Sequence, residues 1–113
     1  MTKTLDAEAE HTARMFLERV AQSYNMSGAV LFGSRARHTH RPDSDVDVAV
    51  LLCGKSGKFL ATKLEMADIA FDVMLETGIR VQPLPIWEEE WRHPENSSNP
   101  RLLQNIVQEG IPL

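Results

Sequence analysis

The sequence predicts a small α/β domain in which a three-stranded mixed sheet is flanked by helices. Apolar spacing along the 113 residues alternates between helical and strand-like, in the order helix, strand, Gly-Ser loop, strand, helix, strand, helix. The loop between the first two strands holds only about a dozen residues, too few for a crossover helix, so we expect these strands to pair antiparallel. A helix joins the second and third strands, which predicts a parallel, right-handed connection.

Length, composition and charge limit the class of protein. The 113 residues, 42% hydrophobic and 25% charged, predict a single domain over 1–113, with a core at about 5–92 and a C-terminal helix at about 99–110. The sequence shows no run of about eighteen apolar residues and no signal-like start, so we expect a cytoplasmic protein without membrane contact. The net charge of −4 argues against a surface that coats nucleic acid and favours basic partners.

The first helix is predicted from Leu5 to Tyr24, with Thr4 as its N-cap. Its apolar residues recur at three-to-four spacing, which indicates a structural role against one face of the sheet. These residues are Leu5, Ala9, Ala13, Phe16, Leu17, Val20 and Tyr24.

The stretch from Gly28 to Leu52 concentrates the chemistry. An apolar strand ends at Gly33-Ser34, and a second strand opens with Asp45 and Asp47. Since successive strand side chains point to opposite faces, both carboxylates share one face, where they repel each other and lose water. Mg²⁺ offsets both costs, because it takes oxygen ligands, commonly one or two carboxylates plus substrate phosphates. The pair therefore predicts phosphate chemistry.

The Gly-Ser break predicts the other half of such a site. A strand that stops at Gly33 and turns into a short helix exposes backbone N–H groups that can receive a phosphate, and Ser34 adds a hydroxyl donor. Arg35 and Arg37 follow, with guanidinium groups that suit phosphate oxygens. Antiparallel pairing of the two strands places this break beside the two acids.

These residues carry a specific resemblance to a known family. Gly33-Ser34, ten intervening residues and Asp45-x-Asp47 resemble the signature of the polymerase-beta-type nucleotidyltransferase superfamily. The small size resembles its minimal nucleotidyltransferase (MNT) branch, and the resemblance covers most of the chain. It implies the small nucleotidyltransferase fold and transfer of a nucleoside monophosphate, AMP from ATP or the equivalent from another NTP, to an acceptor hydroxyl. It also implies that Gly33, Ser34 and, as an accessory contact, Arg35 bind phosphates, whereas Asp45 and Asp47 are catalytic and bind one or two Mg²⁺ ions.

The resemblance implies a protein partner as well. Minimal nucleotidyltransferases are typically the antitoxin partners of HEPN-domain ribonuclease toxins, and some transfer AMP to a tyrosine of the toxin. The expected function is therefore that of an antitoxin enzyme with a HEPN toxin as acceptor. Two alternatives stay open: a catalytically reduced protein that neutralises a toxin by binding alone, and an enzyme that acts on an aminoglycoside-like hydroxyl.

The third strand, predicted from Ile79 to Ile86, departs from the superfamily pattern. In a parallel sheet its start lies near Asp45, where the superfamily usually supplies a third carboxylate. The sequence has Gln82 at the best matching position, and an amide binds cations less strongly than a carboxylate does. Glu76 or Glu88 could substitute for the missing acid.

The second helix is predicted from Phe59 to Thr77, with Gly78 as its stop. The spacing assigns its core side to Leu60, Leu64, Ala67, Phe71, Met74 and Leu75. The other side, either a solvated face or a docking surface for a basic partner, carries Glu65, Asp68, Asp72 and Glu76.

Several other residues invite functional roles that the pattern does not favour. His38 and His40 lie in a polar loop without a cysteine, which favours solvated histidines over a zinc site. Asp43 is predicted in a turn and not as a metal contact. Cys53, the single cysteine, is expected to be buried. Trp87 and Trp91, at i and i+4, are expected to be packing residues and not a base-stacking platform.

The last helix has clear start and stop signals, with Asn99 as N-cap, Pro100 in the first turn and Gly110 as stop. Its predicted apolar stripe is Leu102, Leu103, Ile106 and Val107. The apolar tail 111–113 either packs back or contacts another chain, which leaves an oligomer through this end open. We expect no direct contact with nucleic acid.

Overall fold

The computed structural model of the protein describes residues 7–37, 41, 44–55 and 57–113. Its helices are α1 (Ala7–Val20), α2 (Ser34–Arg37), α3 (Phe59–Thr77), α4 (Glu88–Arg92) and α5 (Pro100–Glu109), with a 3-10 helix at Pro94–Asn96. Its strands are β1 (Met26–Phe32), β2 (Val46–Leu52), β3 (Val81–Trp87) and β4 (Ile111–Pro112). Five positions with sequence-based predictions lie outside the described residues: Thr4, Leu5, His38, His40 and Asp43. No helix in the described ranges is both long and apolar enough to cross a membrane.

The described strands form one mixed sheet in the order β3-β2-β1-β4. β1 pairs antiparallel with β2, and β2 pairs parallel with β3, as predicted. The sheet has a fourth strand where three were expected, because the tail packs back and β4 pairs antiparallel with β1 at Val30 and Leu31. The amide of Leu113 also donates to the carbonyl of Ala29 at 2.9 Å. A strand of 2 residues is too short to show a periodic pattern, so the sequence did not indicate it.

The sheet separates two apolar clusters, one on each face. The valines of β2 point to the face covered by α1 and α3, where they join a cluster that includes Phe16 and Met66. On the opposite face Ala49 clusters with Leu103 and Ile106 of α5. Asp47 shares this second face with Ala49 because strand side chains alternate.

α3 packs through a face different from the predicted one. Its buried residues are Thr62, Met66, Ala70 and Val73. Four residues that the spacing assigned to the core are between 55% and 69% exposed: Leu60, Leu64, Phe71 and Leu75. The prediction is wrong because α3 carries apolar residues on two sides, so periodicity alone does not decide which side the sheet covers.

The acidic side of α3 contacts both α1 and the turn that follows α1. The hydroxyl of Tyr24 donates to the carboxylate of Glu65, and Arg19 pairs with Glu76. Burial, together with the hydrogen bond and the charge of Glu65, raises the pKa of Tyr24 to about 12. These contacts give half of the acidic side a structural partner within the chain.

β3 is an edge strand, and the backbone nitrogens of its two prolines lie on the side away from β2. The amide of Val46 donates to the carbonyl of Arg80 at 2.8 Å. In a parallel ladder alternate residues bond the same neighbour, so the even-numbered residues of β3 face β2. Pro83 and Pro85 therefore face away from β2, where a missing N–H breaks no ladder hydrogen bond.

Cys53 is exposed, contrary to the prediction. β2 ends at Leu52, and the chain bends at Cys53, whose amide donates to the carbonyl of Asn25 at 3.0 Å. The burial expected from the apolar run fails because the strand stops one residue earlier.

Two features of the C-terminal region follow the sequence pattern. Trp87 is 7% exposed within the first cluster, and Trp91 packs against the second, which confirms their packing roles. At the start of α5, Oδ1 of Asn99 accepts a hydrogen bond from the amide of Leu102 at 3.2 Å, which confirms the predicted cap. Val107 departs from the predicted stripe, since it is 59% exposed.

Candidate active site

β1 and α2 meet at a turn that requires glycine. Gly33 has a φ of 77°, in the left-handed region that other residues rarely adopt. A Cβ placed there would lie 2.2 Å from Oδ2 of Asp47. The backbone conformation therefore disfavours any other residue, and an added side chain would also force the carboxylate of Asp47 to move. Ser34 follows as the first residue of α2, so the backbone of the turn runs directly beside Asp47.

Residues from three strands align beside this turn. Asp47 lies opposite Phe32 at the end of β1 and opposite Gln82 of β3. Asp45 comes just before β2, and Nε2 of Gln82 donates to its Oδ2 at 3.1 Å. The structure therefore brings Asp45 and Asp47 together with Gly33. It also places Gln82 beside both acids.

Asp47 lies in an environment that disfavours its charge. Burial raises the pKa of Asp47 above the ordinary value of 3.8, and the negative charge of Asp45 raises it further. The guanidinium of Arg37 acts in the opposite direction and lowers the same pKa. A cation close to the two carboxylates would stabilise their ionised forms.

The donor set fits Mg²⁺ held jointly with a nucleotide. Mg²⁺ commonly takes one or two carboxylates together with substrate phosphates and water. Asp45 and Asp47 supply the two carboxylates. Within 7–37, 41, 44–55 and 57–113, no group of three or more His, Cys, Asp or Glu side chains forms a metal site. The two acids therefore suit an ion whose coordination is completed by phosphate oxygens.

The two glutamates suggested as substitutes for the third acid bond elsewhere. Glu76 pairs with Arg19 of α1. Glu88 follows β3 and accepts a hydrogen bond from the amide of Gly54 at 3.4 Å. Because β3 runs parallel to β2, its end lies a full strand length from Asp45. Glu76 therefore pairs with α1 and Glu88 lies at the far end of β3, whereas Gln82 lies beside the acids.

Arg35 is enclosed by the protein. Its side chain is 1% exposed, and its Nη1 lies 3.7 Å from the carboxylate of Glu8. Its Nε and Nη2 donate to the carbonyl of Ser44 at 3.2 Å and 2.9 Å. This geometry corrects the predicted phosphate contact, because the guanidinium bonds the protein's own backbone. By holding Ser44, Arg35 fixes the segment that leads into Asp45.

Arg37 is the arginine of α2 that stays accessible. Its Nη1 pairs with the carboxylate of Glu109 at 3.2 Å, and both side chains are 48% exposed. Its charge also acts on Asp47. Residues two apart on a helix face different directions, so the burial of Arg35 turns Arg37 outward. The sequence contained both arginines but no signal that told which of them would be buried.

Known proteins resemble this chain in sequence and in fold. The sequence profile of the family described as Polymerase beta, Nucleotidyltransferase matches residues 16–113. A candidate minimal nucleotidyltransferase of known structure is 25% identical, over 99% of this chain and 100% of its own, with a TM-score of 0.57. No curated protein sequence matches the chain.

Two further solved structures are toxin-antitoxin proteins. One, described with AMP-PNP, is 21% identical over 91% of this chain and 70% of its own, with a TM-score of 0.60. The other is a substituted form of the toxin-antitoxin MntA-HpeT, 22% identical over 97% of this chain and 72% of its own, with a TM-score of 0.58. At these identities the two structures show a shared fold.

Proposed function

Because this chain belongs to the polymerase beta nucleotidyltransferase family, we propose that it transfers AMP from ATP to a hydroxyl of a partner protein, with Mg²⁺ as cofactor. The proposed partner is the HEPN-domain toxin of a pair in which this chain is the antitoxin. The observation that carries the activity is the meeting of Gly33, Asp45 and Asp47 at one edge of the sheet.

In this proposal each site residue has a separate task. The backbone at Gly33 and the hydroxyl of Ser34 hold the terminal phosphates, and Arg37 adds positive charge on the accessible side. Asp45 and Asp47 hold Mg²⁺, which when bound supplies charge stabilisation for the phosphates. The acceptor oxygen forms a bond to the α-phosphorus, the bond to pyrophosphate breaks, and the hydroxyl proton is lost to water.

Two observations support a protein partner and an adenine nucleotide. Proteins of the same fold occur in toxin-antitoxin structures, one of them described with AMP-PNP. The net charge of −4 also suits a basic partner, because opposite charge accelerates association. The HEPN identity of the partner is proposed from the family resemblance.

A second candidate function is toxin neutralisation by binding alone. The specific observation in its favour is Gln82, whose amide donates to Asp45 in place of a third carboxylate. An amide neither binds a cation as strongly as a carboxylate nor accepts a proton at neutral pH. In this case the chain would keep the fold and lose the transfer reaction.

The test is the intact mass of the co-purified partner after incubation with Mg²⁺ and ATP. The proposal expects one or more added AMP units with the wild type and none with the double variant Asp45→Ala, Asp47→Ala. The double variant Glu18→Ala, Glu89→Ala is the matched control, because it removes two exposed carboxylates outside the site. It should behave like the wild type.

A partner whose mass does not change with any NTP would overturn the transfer reaction. Neutralisation of the toxin by the Asp45→Ala, Asp47→Ala variant, together with an unchanged mass for the wild type, would establish the binding protein instead.

A further inference from the structure

The outer face of α3 carries an unusual apolar stripe. It consists of Leu60, Leu64, Ala67, Phe71 and Leu75, which recur every three or four residues on one side of the helix. Its four large members are between 55% and 69% exposed. At 3.6 residues per turn the stripe lies roughly 140° around the axis from the buried face. A continuous apolar stripe in water is typical of a surface that another protein covers.

The stripe is continuous with a groove that reaches Gln82 on the edge strand β3. A cavity of about 350 Å³ lies between Ala67, Phe71 and Met74 on α3 and the first residues of β3. Gln82 lines this cavity, and its amide donates to Asp45. A protein seated on the stripe would therefore reach Gln82, the residue of β3 that bonds Asp45.

The edge of β3 indicates what kind of segment can dock here. At Pro83 and Pro85 the backbone faces away from β2, and proline supplies no N–H donor there. An added strand would lack those ladder hydrogen bonds, so strand addition is disfavoured. Apolar residues at three-to-four spacing instead match the ridge of an amphipathic helix.

The charges beside the stripe indicate which charged residues the docked helix would carry. Asp68 and Asp72 are exposed and flank the stripe on one side. On the other side Lys63 lies over the ring of Phe59, with its Nζ 5.8 Å from the ring centroid. Arg80 lines the groove on this same side. Asp68 and Asp72, one helical turn apart, form the acidic flank, and this flank complements Lys or Arg on the partner.

A second copy of this chain suits the stripe poorly. In an antiparallel pair of identical helices each flank meets its own copy, so Asp68 and Asp72 would face the same carboxylates. The outer face of α3 also carries no hydroxyl: Thr62 is buried, and Thr77 bonds the carbonyl of Val73 at 2.9 Å. A second copy would bring no acceptor to the groove through this helix.

We propose that the stripe on α3 docks an amphipathic helix of the partner protein, with an apolar seam flanked by Lys or Arg, and that this docking presents the acceptor hydroxyl at the groove beside Gln82. The docking step rests on the exposed stripe and its charges. The presentation step rests on the transfer function proposed above.

The test uses two synthetic helical peptides of about three heptads with Leu at the seam, one with Lys flanks and one with Glu flanks. Fluorescence anisotropy measures their binding to the full chain without nucleotide. We expect the Lys-flanked peptide to bind about tenfold more tightly than the Glu-flanked one, and the charge swap Asp68→Lys, Asp72→Lys to reverse this order.

Leu64→Glu tests the stripe itself, with Val107→Glu on α5 as the matched control. The two side chains are 58% and 59% exposed, so both substitutions add one charge at an equally exposed apolar site. Leu64→Glu should weaken binding of the Lys-flanked peptide by about tenfold or more, whereas Val107→Glu should change it by less than about twofold. The Asp45→Asn, Asp47→Asn variant should bind the peptide as the wild type does.

Three outcomes would overturn the docking proposal: equal binding of the two peptides, binding unaffected by Leu64→Glu, or a dimer of the chain alone that Leu64→Glu dissociates. Peptide binding as expected, with no AMP transfer to the partner, would leave the docking surface and reject the transfer function. If the chain transfers AMP but Leu64→Glu leaves peptide binding unchanged, the docking surface alone is rejected.

Discussion

The backbone of Gly33 lies so close to Asp47 that an added Cβ would stand 2.2 Å from Oδ2 and 3.1 Å from Cγ of the aspartate. The conformation of the turn after β1 and the position of the Asp47 carboxylate in β2 therefore depend on each other. A phosphate held by the turn and a cation held by the acid would meet at this contact, because both groups lie at the same edge of the antiparallel pair.

Gly33→Ala is expected to lower both stability and Mg²⁺-ATP binding. The left-handed backbone and the overlap with Asp47 together should cost about 2–4 kcal/mol in the free energy of unfolding. Gly54 is the matched control, since its φ is 92° and an added Cβ there meets nothing within 4 Å. Gly54→Ala should cost only about 1–2 kcal/mol and leave nucleotide binding unchanged. Equal losses in urea unfolding would contradict a role for the contact with Asp47.

Asp47→Asn is expected to stabilise the metal-free protein at neutral pH. The fold raises the pKa of Asp47 above 3.8, so between that value and the raised one the folded chain holds more protons than the unfolded chain. Protonated Asp47 therefore stabilises the fold at low pH, and this contribution to the free energy of unfolding is lost as the pH rises through the pKa of the folded state. The Asn variant lacks this titration, and its unfolding free energy should depend less on pH.

Urea unfolding from about pH 4 to about pH 8, with and without Mg²⁺, measures this difference. Mg²⁺ should stabilise the wild type more than the Asn variant. Glu18→Gln, at an exposed position of α1, is the control and should follow the wild type. A wild type and an Asn variant with identical pH profiles would contradict the burial of charge at Asp47.

Gln82→Glu places a carboxylate beside Asp45, whose Oδ2 lies 3.1 Å from Nε2 of Gln82 in the wild type. Without metal the third negative charge should destabilise the fold at neutral pH, because like charges repel at this distance. With Mg²⁺ the same charge should tighten metal binding by about tenfold, as added ligand charge does in oxygen sites. Gln82→Met removes the hydrogen bond without adding charge, and isothermal titration should show no gain in Mg²⁺ affinity for it.

Arg35 and Arg37 should separate stability from nucleotide binding. Arg35→Met removes the two hydrogen bonds to Ser44 and should lower the unfolding free energy by about 2–4 kcal/mol. Arg37→Met breaks an exposed ion pair and should cost less than about 1 kcal/mol, while it weakens ATP binding. Thermal unfolding and ATP titration of the two variants measure both effects. A destabilised Arg37→Met and a stable Arg35→Met would contradict the burial described for α2.

Tyr24 should ionise at unusually high pH. Burial and Glu65 raise its pKa to about 12, and it is the single tyrosine of the chain, so phenolate absorbance reports it directly. Glu65→Gln removes the nearby charge and should move the transition down towards the ordinary value of 10.0. Glu18→Gln should leave it in place. An unshifted transition in the wild type would show that the contact between Tyr24 and Glu65 of α3 does not form.

Local sequence features determined the order of the elements, the pairing of the three long strands and the composition of the candidate site. A short loop requires antiparallel pairing, and a helical crossover requires parallel pairing, so Gly33, Asp45 and Gln82 had to reach one edge of the sheet. Alternation along a strand put both acids on one face. These rules depend on backbone geometry, which a sequence pattern reports well.

Only the tertiary structure decided which surfaces are buried. α3 has two apolar sides, and the space between the sheet and α1 accepts the side of Met66, which leaves the side of Leu64 in water. Arg35 is enclosed because its guanidinium bonds Ser44, 9 residues further along the chain, and Arg37 is then left accessible. Burial is a competition among faces for the same contacts, and its outcome depends on the shape of the assembled neighbours.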